Sequence, residues 1–221
     1  MADRLLFSKT GRAKYISHLD LMRTFQRAFS RAGIQIKHTE GFNPHPFVSI
    51  ALPLSVGYSS QCEILEFGLV GGAAPEEVPV RLTAALPEGI IIHSCTPAQK
   101  PVKQLAYVNY IVNMEYEEGR PLDAETALRE LLSRESLVIQ KKSKKAKSGF
   151  TEVDLIPLIK SWTLECGRET MTLNMVVSAQ NPGLNPELVR AAFCDLYPQF
   201  TPDFVSFHRR AVLDAEGEHF I

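Results

Sequence analysis

The sequence lacks an excess of charge of either sign. Its 221 residues carry 24 Lys/Arg and 25 Asp/Glu, a net charge of −1. That excludes a polycation, so any affinity for a polyanion has to come from local patches. Cysteine is sparse. Cys62, Cys95, Cys166 and Cys194 lie far apart and form no CxxC pair, which argues for free thiols in a reducing, cytoplasmic setting. There is no HxH, HExxH or DxD cluster, so no metal site is expected. A P-loop, a GxGxxG turn and a GxSxG elbow are missing too, and no cofactor is expected. The glycine-rich run Gly68–Gly72 lacks the Lys-Ser/Thr of a phosphate cradle. No apolar run approaches the roughly 20 residues that span a bilayer. The start Met-Ala-Asp-Arg has no apolar stretch of the signal-peptide kind.

What is present is ordinary globular composition, 45% hydrophobic and 22% charged, enough for cores built from side chains alone. The length suggests two domains of roughly 100 residues each. In the first half, Arg4–Ser8 reads as a strand and Ser17–Ala32 as a helix, with Met22, Phe25, Phe29 and Ala32 on its apolar face. Ser17 is a good N-cap, with Asp20 three residues on, and Gly33 suits the position just past the helix end. Ile34–Thr39 reads as extended. Strands follow at Phe47–Leu52 and Glu63–Leu69, a helix at Pro75–Ala85 and a strand at Gly89–Ser94. The order is β-α-β-β-α-β. After the linker-like segment Thr96–Gln104 the same order recurs: a strand over Ala106–Glu117, a helix over Asp123–Ser133, further strands, a helix over Asn185–Leu196 and a strand over Phe204–Val212. The expected fold is therefore α+β, two tandem ferredoxin-like (βαββαβ) domains with antiparallel sheets, spanning residues 1–97 and 105–221.

Charge is unevenly spread. Residues 1–50 hold Arg4, Lys9, Arg12, Lys14, Arg23, Arg27, Arg31 and Lys37 against Asp3, Asp20 and Glu40. Arg23, Arg27 and Arg31 follow an i, i+4, i+8 spacing and share one helix face. That face is either solvated or phosphate-contacting, and Lys9, Arg12 and Lys14 just before the helix N-terminus favour anions there. Residues 141–147 add Lys141, Lys142, Lys144, Lys145 and Lys147 with no acid among them. Such an exposed tip attracts polyanions without sequence readout, or simply keeps a loop soluble.

In Gly41-Phe42-Asn43-Pro44-His45-Pro46 two prolines hold Asn43 and His45 extended. The loop either displays those side chains or serves as a rigid connection, with Phe42 and Phe47 anchored in the core. Topology leads us to expect Asn43 or His45 beside Ser17, His18 or Asp20. His18, Asp20 and His45 would be the centre of any acid–base chemistry.

The run Phe7–Gly11, Tyr15–Arg23 with its Ser17-His18-Leu19-Asp20, Arg27-Ala28, Arg31–Gly33 and Gly41–Pro46, closed by Pro53-Leu54 and Gly57, resembles the DUF2344 family, the radical SAM-associated or radical SAM-linked proteins. The resemblance implies a radical-SAM enzyme as partner and an RNA or ribosomal component as its setting. The chain has no CxxxCxxC and so cannot itself hold the usual iron–sulfur cluster of such enzymes. It points to a non-catalytic RNA-binding or adaptor protein, with Lys9, Arg12, Lys14, Arg23, Arg27, Arg31 and the 141–147 lysines on phosphate, and Asn43 and His45 positioning a base. The alternatives are a small metal-independent ribonuclease or RNA-modifying enzyme, and a protein–protein scaffold for the radical-SAM partner. A looser likeness in element order to the RNA-binding RAMP proteins of CRISPR systems is weakened by the acidic end, Asp214–Ile221, where those proteins carry a glycine-rich loop.

Overall fold

The computed structural model describes residues 2–71, 73–142 and 149–220. The chain is mixed α+β, with mostly antiparallel strand pairing. It divides into two compact units: residues 1–105 with 208–221, and residues 106–207. The first boundary falls close to the expected linker. The second differs from the expected 105–221, because the last fourteen residues return to the first unit.

Unit 1 runs β1 (Asp3–Lys9), α1 (His18–Arg31), β2 (Val48–Ala51), β3 (Ser59–Phe67), α2 (Val78–Ala85) and β4 (Ile90–Pro97). Its strands lie in the order β4-β1-β3, with β2 also on β3. Every pairing among these four is antiparallel. β2 covers β3 from Ile64 to Phe67. At the other end of β3, His208 and Arg209 pair in parallel with Ser59 and Ser60.

α1 begins and ends on local chemistry. The Ser17 hydroxyl accepts from the Asp20 N–H at 3.2 Å and donates to the Asp20 carboxylate at 2.7 Å. At the other end Gly33 takes φ +64°. There Gly33 N–H donates to Ser30 O and Ile34 N–H to Phe29 O, the Schellman pattern. Buried Ile34 and Phe29 add the apolar contact that accompanies it. Leu21, Phe25, Ala28 and Phe29 form the buried face. Phe25 meets Phe7 edge-on at 4.9 Å, and Phe29 lies 4.9 Å from Phe67.

Two expected elements are shorter than their sequence patterns. Ile34–Thr39 makes single bridges, Ile36 to Leu69 and His38 to Pro46, since the prolines that follow cannot donate to a ladder. Pro75–Glu77 is a 3-10 turn ahead of α2. β4, by contrast, extends to Pro97, into the expected linker.

Unit 2 contains β5 (Tyr107–Glu115), α3 (Ala124–Leu132), β6 (Val138–Lys142), β7 (Phe150–Asp154), β8 (Ile159–Cys166), β9 (Thr170–Ser178), α4 (Pro186–Leu196) and the start of β10 (Phe204–Leu213). Its order is β10-β5-β9-β8, and β6 and β7 form a separate two-stranded hairpin. β5 and β9 pair over nine residues, which explains the long alternation read from Ala106 to Glu117. Asn185 caps α4 by accepting from Glu187 N–H at 3.1 Å.

Candidate nucleic-acid interface

Lys9 has to be removed from the surface patch. It is wholly buried. Its ammonium donates to Ile16 O at 2.8 Å and Lys14 O at 3.3 Å. Burial pulls its pKa down, with Glu63 opposing and Arg209 adding to the shift. Lys9 therefore shapes the 3-10 turn Gly11–Tyr15 that leads into α1, and has no surface left to offer phosphate. Beside it Glu63 and Arg209, 1% and 4% exposed, form a buried pair at 2.9 Å. Arg209 also donates to Leu52 O. Arg12 is exposed, and the half-buried Lys14 places its ammonium 5.1 Å from the centroid of the Tyr15 ring.

The arginine stripe is exposed, but its members do different things. Arg23 pairs with Asp20 at 3.4 Å in full solvent, a contact worth little. Arg31 donates to Ala85 O at the end of α2 at 2.6 Å. Arg81, absent from the sequence expectation, reciprocates by donating to Ala32 O at 2.8 Å and Gly33 O at 3.2 Å at the end of α1. Each helix thus supplies the cation that satisfies the other's terminal carbonyls. Arg27 has no partner among the described residues. It opens on a groove of about 670 Å³ lined also by Thr24, Arg31, Arg81, Ala85 and Pro87. Glu77 pairs with Arg81 at 3.3 Å. Arg81 was illegible beforehand because its spacing to Glu77 reads as an ordinary i, i+4 surface pair.

The Gly41–Pro46 loop is the tip of a small hairpin. Phe47 N–H donates to Lys37 O and Thr39 N–H to His45 O. His45 N–H donates to Thr39 Oγ1 at 3.2 Å, and its ring Nδ1 lies 3.1 Å from that hydroxyl and 3.2 Å from Asn43 O. The base is fixed to α1 by Gln26, whose amide donates to Pro46 O at 3.0 Å. The loop's link to α1 is thus at Gln26, more than two turns past Ser17. The chain leaves α1 at its C-terminal end, so the segment before β2 starts from that end. Ser17, Asp20 and Arg23 bond with one another, and His45 bonds within its own hairpin. No hydrogen bond joins His18, Asp20 and His45 among the described residues, and no group of His, Cys, Asp or Glu among them has metal-binding geometry. The expectation that Phe42 and Phe47 are anchored in the core is corrected: Phe42 is fully exposed, at 113% of its reference area, and Phe47 is 44% exposed. Asn43 and His45 are exposed as well.

In unit 2, Lys141 and Lys142 sit on β6 opposite Thr151 and Phe150, and the Lys141 side chain is exposed. Lys144, Lys145 and Lys147 lie outside the described residues.

A family model described as an uncharacterized protein conserved in bacteria, DUF2344, matches residues 4–186. The chain belongs to the DUF2344 family. A search of curated proteins finds no match. Among solved structures, a chain of a Cbf5-Nop10-Gar1 complex aligns at TM-score 0.53 and 10% identity. The alignment covers 95% of this DUF2344 chain and 48% of that one, so this chain spans about half the length of the neighbour and shares its fold alone. An unknown protein from Galdieria sulphuraria aligns at TM-score 0.29 and 10% identity, over 94% of this chain and 97% of that one. No helix among the described residues is long and apolar enough to cross a membrane.

Proposed function

We propose that this DUF2344 protein is a non-catalytic, cytoplasmic RNA-binding adaptor that works beside a radical-SAM enzyme on RNA or a ribosomal component. The observation that carries the reading is the groove between α1 and α2. Arg27 faces it without a partner among the described residues, two further guanidinium groups line it, and no acid does. Three cations around one concave surface repel one another unless an anion offsets them, and phosphate is the anion whose geometry guanidinium matches best. Arg12, Arg23 and Lys141 add exposed charge in their own units. Each unit is read here as ferredoxin-like, a reading supported by the strand orders β4-β1-β3-β2 and β10-β5-β9-β8 around two helices apiece. Free cysteines suit a reducing compartment.

The enzyme reading ranks second because Asp20 bonds to Ser17 and Arg23 while His45 Nδ1 lies against Thr39 and Asn43 O, and no hydrogen bond joins the two among the described residues. The test is the salt dependence of binding to single-stranded RNA. Arg27→Ala should reduce the slope of log K against log salt by about 0.7 with no loss of stability. An unchanged slope in the folded variant makes the groove a solvated surface. Chelator-resistant RNA cleavage that disappears in His45→Ala would reverse the ranking.

A further inference from the structure

The hairpin around Gly41–Pro46 presents a phenylalanine to water on a support too stiff to be incidental. Phe42 is fully exposed. Withdrawing such a ring from water is favourable, and no contact among the described residues does so. The segment is nevertheless held in place. Two inter-strand backbone bonds, the Thr39–His45 side-chain bonds and the Gln26 amide on Pro46 O fix its base. Gly41 takes φ +123°, a conformation closed to other residues, with open space where a Cβ would stand. Proline at 44 and 46 removes further freedom.

The residues around the hairpin tip are polar. Asn43 and His45 beside it are exposed, as are Lys37 and His38 at the hairpin base, against the single carboxylate of Glu40. The anchoring residue, Gln26, adjoins Arg27 on α1. The helix that roots the hairpin thus carries the arginine groove on its other flank.

We infer that Phe42 is a stacking platform for an unpaired base of single-stranded RNA, with Asn43 and His45 placed to hydrogen-bond that base's edge. This rests on the RNA-binding reading above and adds the strandedness of the RNA and the residue that senses it. Unpaired bases offer a π-face to an aromatic ring and a free edge to amide and imidazole groups, whereas a duplex hides both. Arg27, adjoining the Gln26 that anchors the hairpin, supplies a cation for the phosphates of the same strand.

The test uses the whole protein and two labelled oligomers of about 12 nucleotides: a mixed-sequence single-stranded RNA, and an abasic strand with the same phosphates. Binding is followed by fluorescence anisotropy for wild type, Phe42→Ala, Phe42→Trp and Arg27→Ala. Phe42→Ala should bind the base-bearing strand about tenfold more weakly and the abasic strand unchanged. Phe42→Trp should keep affinity, and its emission, after subtraction of the Trp162 signal of wild type, should be quenched by the base-bearing strand alone. If Phe42→Ala binds like wild type while Arg27→Ala still flattens the salt slope, the stacking platform is wrong and the RNA-binding reading stands. If Phe42→Ala loses both strands equally, the effect is not stacking and the inference fails. If wild type binds neither strand, both readings fall. Unchanged RNA binding by Phe42→Ala, together with loss of a radical-SAM enzyme that co-purifies with wild type, would assign the ring to a protein partner and overturn the inference.

Discussion

Glu63 is buried with one carboxylate oxygen on Arg209 and the other without a hydrogen-bond partner among the described residues. A buried ion held this way is costly to unpair. Arg209→Met should destabilise the protein by about 3–5 kcal/mol, because Glu63 loses its one hydrogen-bonded cation among the described residues and keeps only the Coulombic influence of Lys9. Arg209→Met with Glu63→Leu should recover much of that loss. Urea denaturation of the three proteins measures it, and a double variant as weak as the single one would mean that the pair contributes more than mutual compensation. Nearby, His208 shares a hydrogen bond with Ser59 at 2.9 Å, and burial, helped by Arg210, holds its imidazole below the ordinary value of 6.5. The unfolded chain therefore takes up this proton first. Stability should fall as pH drops from about 6.5 through the lowered pKa, and His208→Gln should make that fall shallower. Identical profiles would show that the ring titrates alike in both states. Cys62 is pushed up to about 11 by burial, so a thiol reagent at pH 8 should label it only as the chain unfolds.

At the scale of elements, α1 and α2 end on each other's arginines. The consequence is a division of labour along one stripe that looks uniform. Arg81→Ala should cost about 1 kcal/mol by orphaning the terminal carbonyls of α1, and should weaken RNA binding less than Arg27→Ala, because Glu77 already pairs with Arg81. Arg27→Ala should do the reverse. Thermal melts combined with the anisotropy titration separate the two effects, and equal stability losses would contradict the assignment of Arg27 as the free cation. The caps themselves follow simpler rules. Ser17→Ala removes the acceptor for Asp20 N–H and should lower stability by about 1 kcal/mol.

For the whole molecule, the decisive feature is that residues 208–221 complete unit 1. Arg209 bonds to Leu52 and Glu63, Asp214 pairs with Lys100, and the buried ring of Phe220 lies 4.8 Å from the Arg4 guanidinium. Arg4 is itself buried, with Nη2 shared between Glu66 and Lys100 O. A chain ending at Leu213 should lose about 2–3 kcal/mol through exposure of the Phe220 site alone. Hydrogen exchange in β1 and β3 should quicken accordingly. Unchanged protection there would mean that the tail is an appendage. The return of the tail also bears on experiments with isolated parts: residues 1–97 alone omit a buried cation and the aromatic cover of another.

The features legible in the residues alone were the local ones. Ser17, Asp20 and Gly33 delimit α1 through bonds spanning three to five residues, and the alternation from Tyr107 to Glu115 marks a strand because side chains in an extended chain point to opposite faces. The order of elements in both halves follows from such patterns. The Arg23–Arg27–Arg31 face is visible for the same reason. What the tertiary structure decided rests on contacts between residues far apart in sequence. Lys9 has the composition of a surface cation and is buried because Glu63 and the turn carbonyls compensate it. Arg31 and Arg81 are occupied because two helix ends meet. Phe42 has the composition of a core residue and stands in water because the Thr39–His45 bonds and Gln26 hold its hairpin off the core. A period in the sequence says which face of an element is apolar. It does not say which distant group will satisfy a buried charge, and that pairing exists only once the chain has closed.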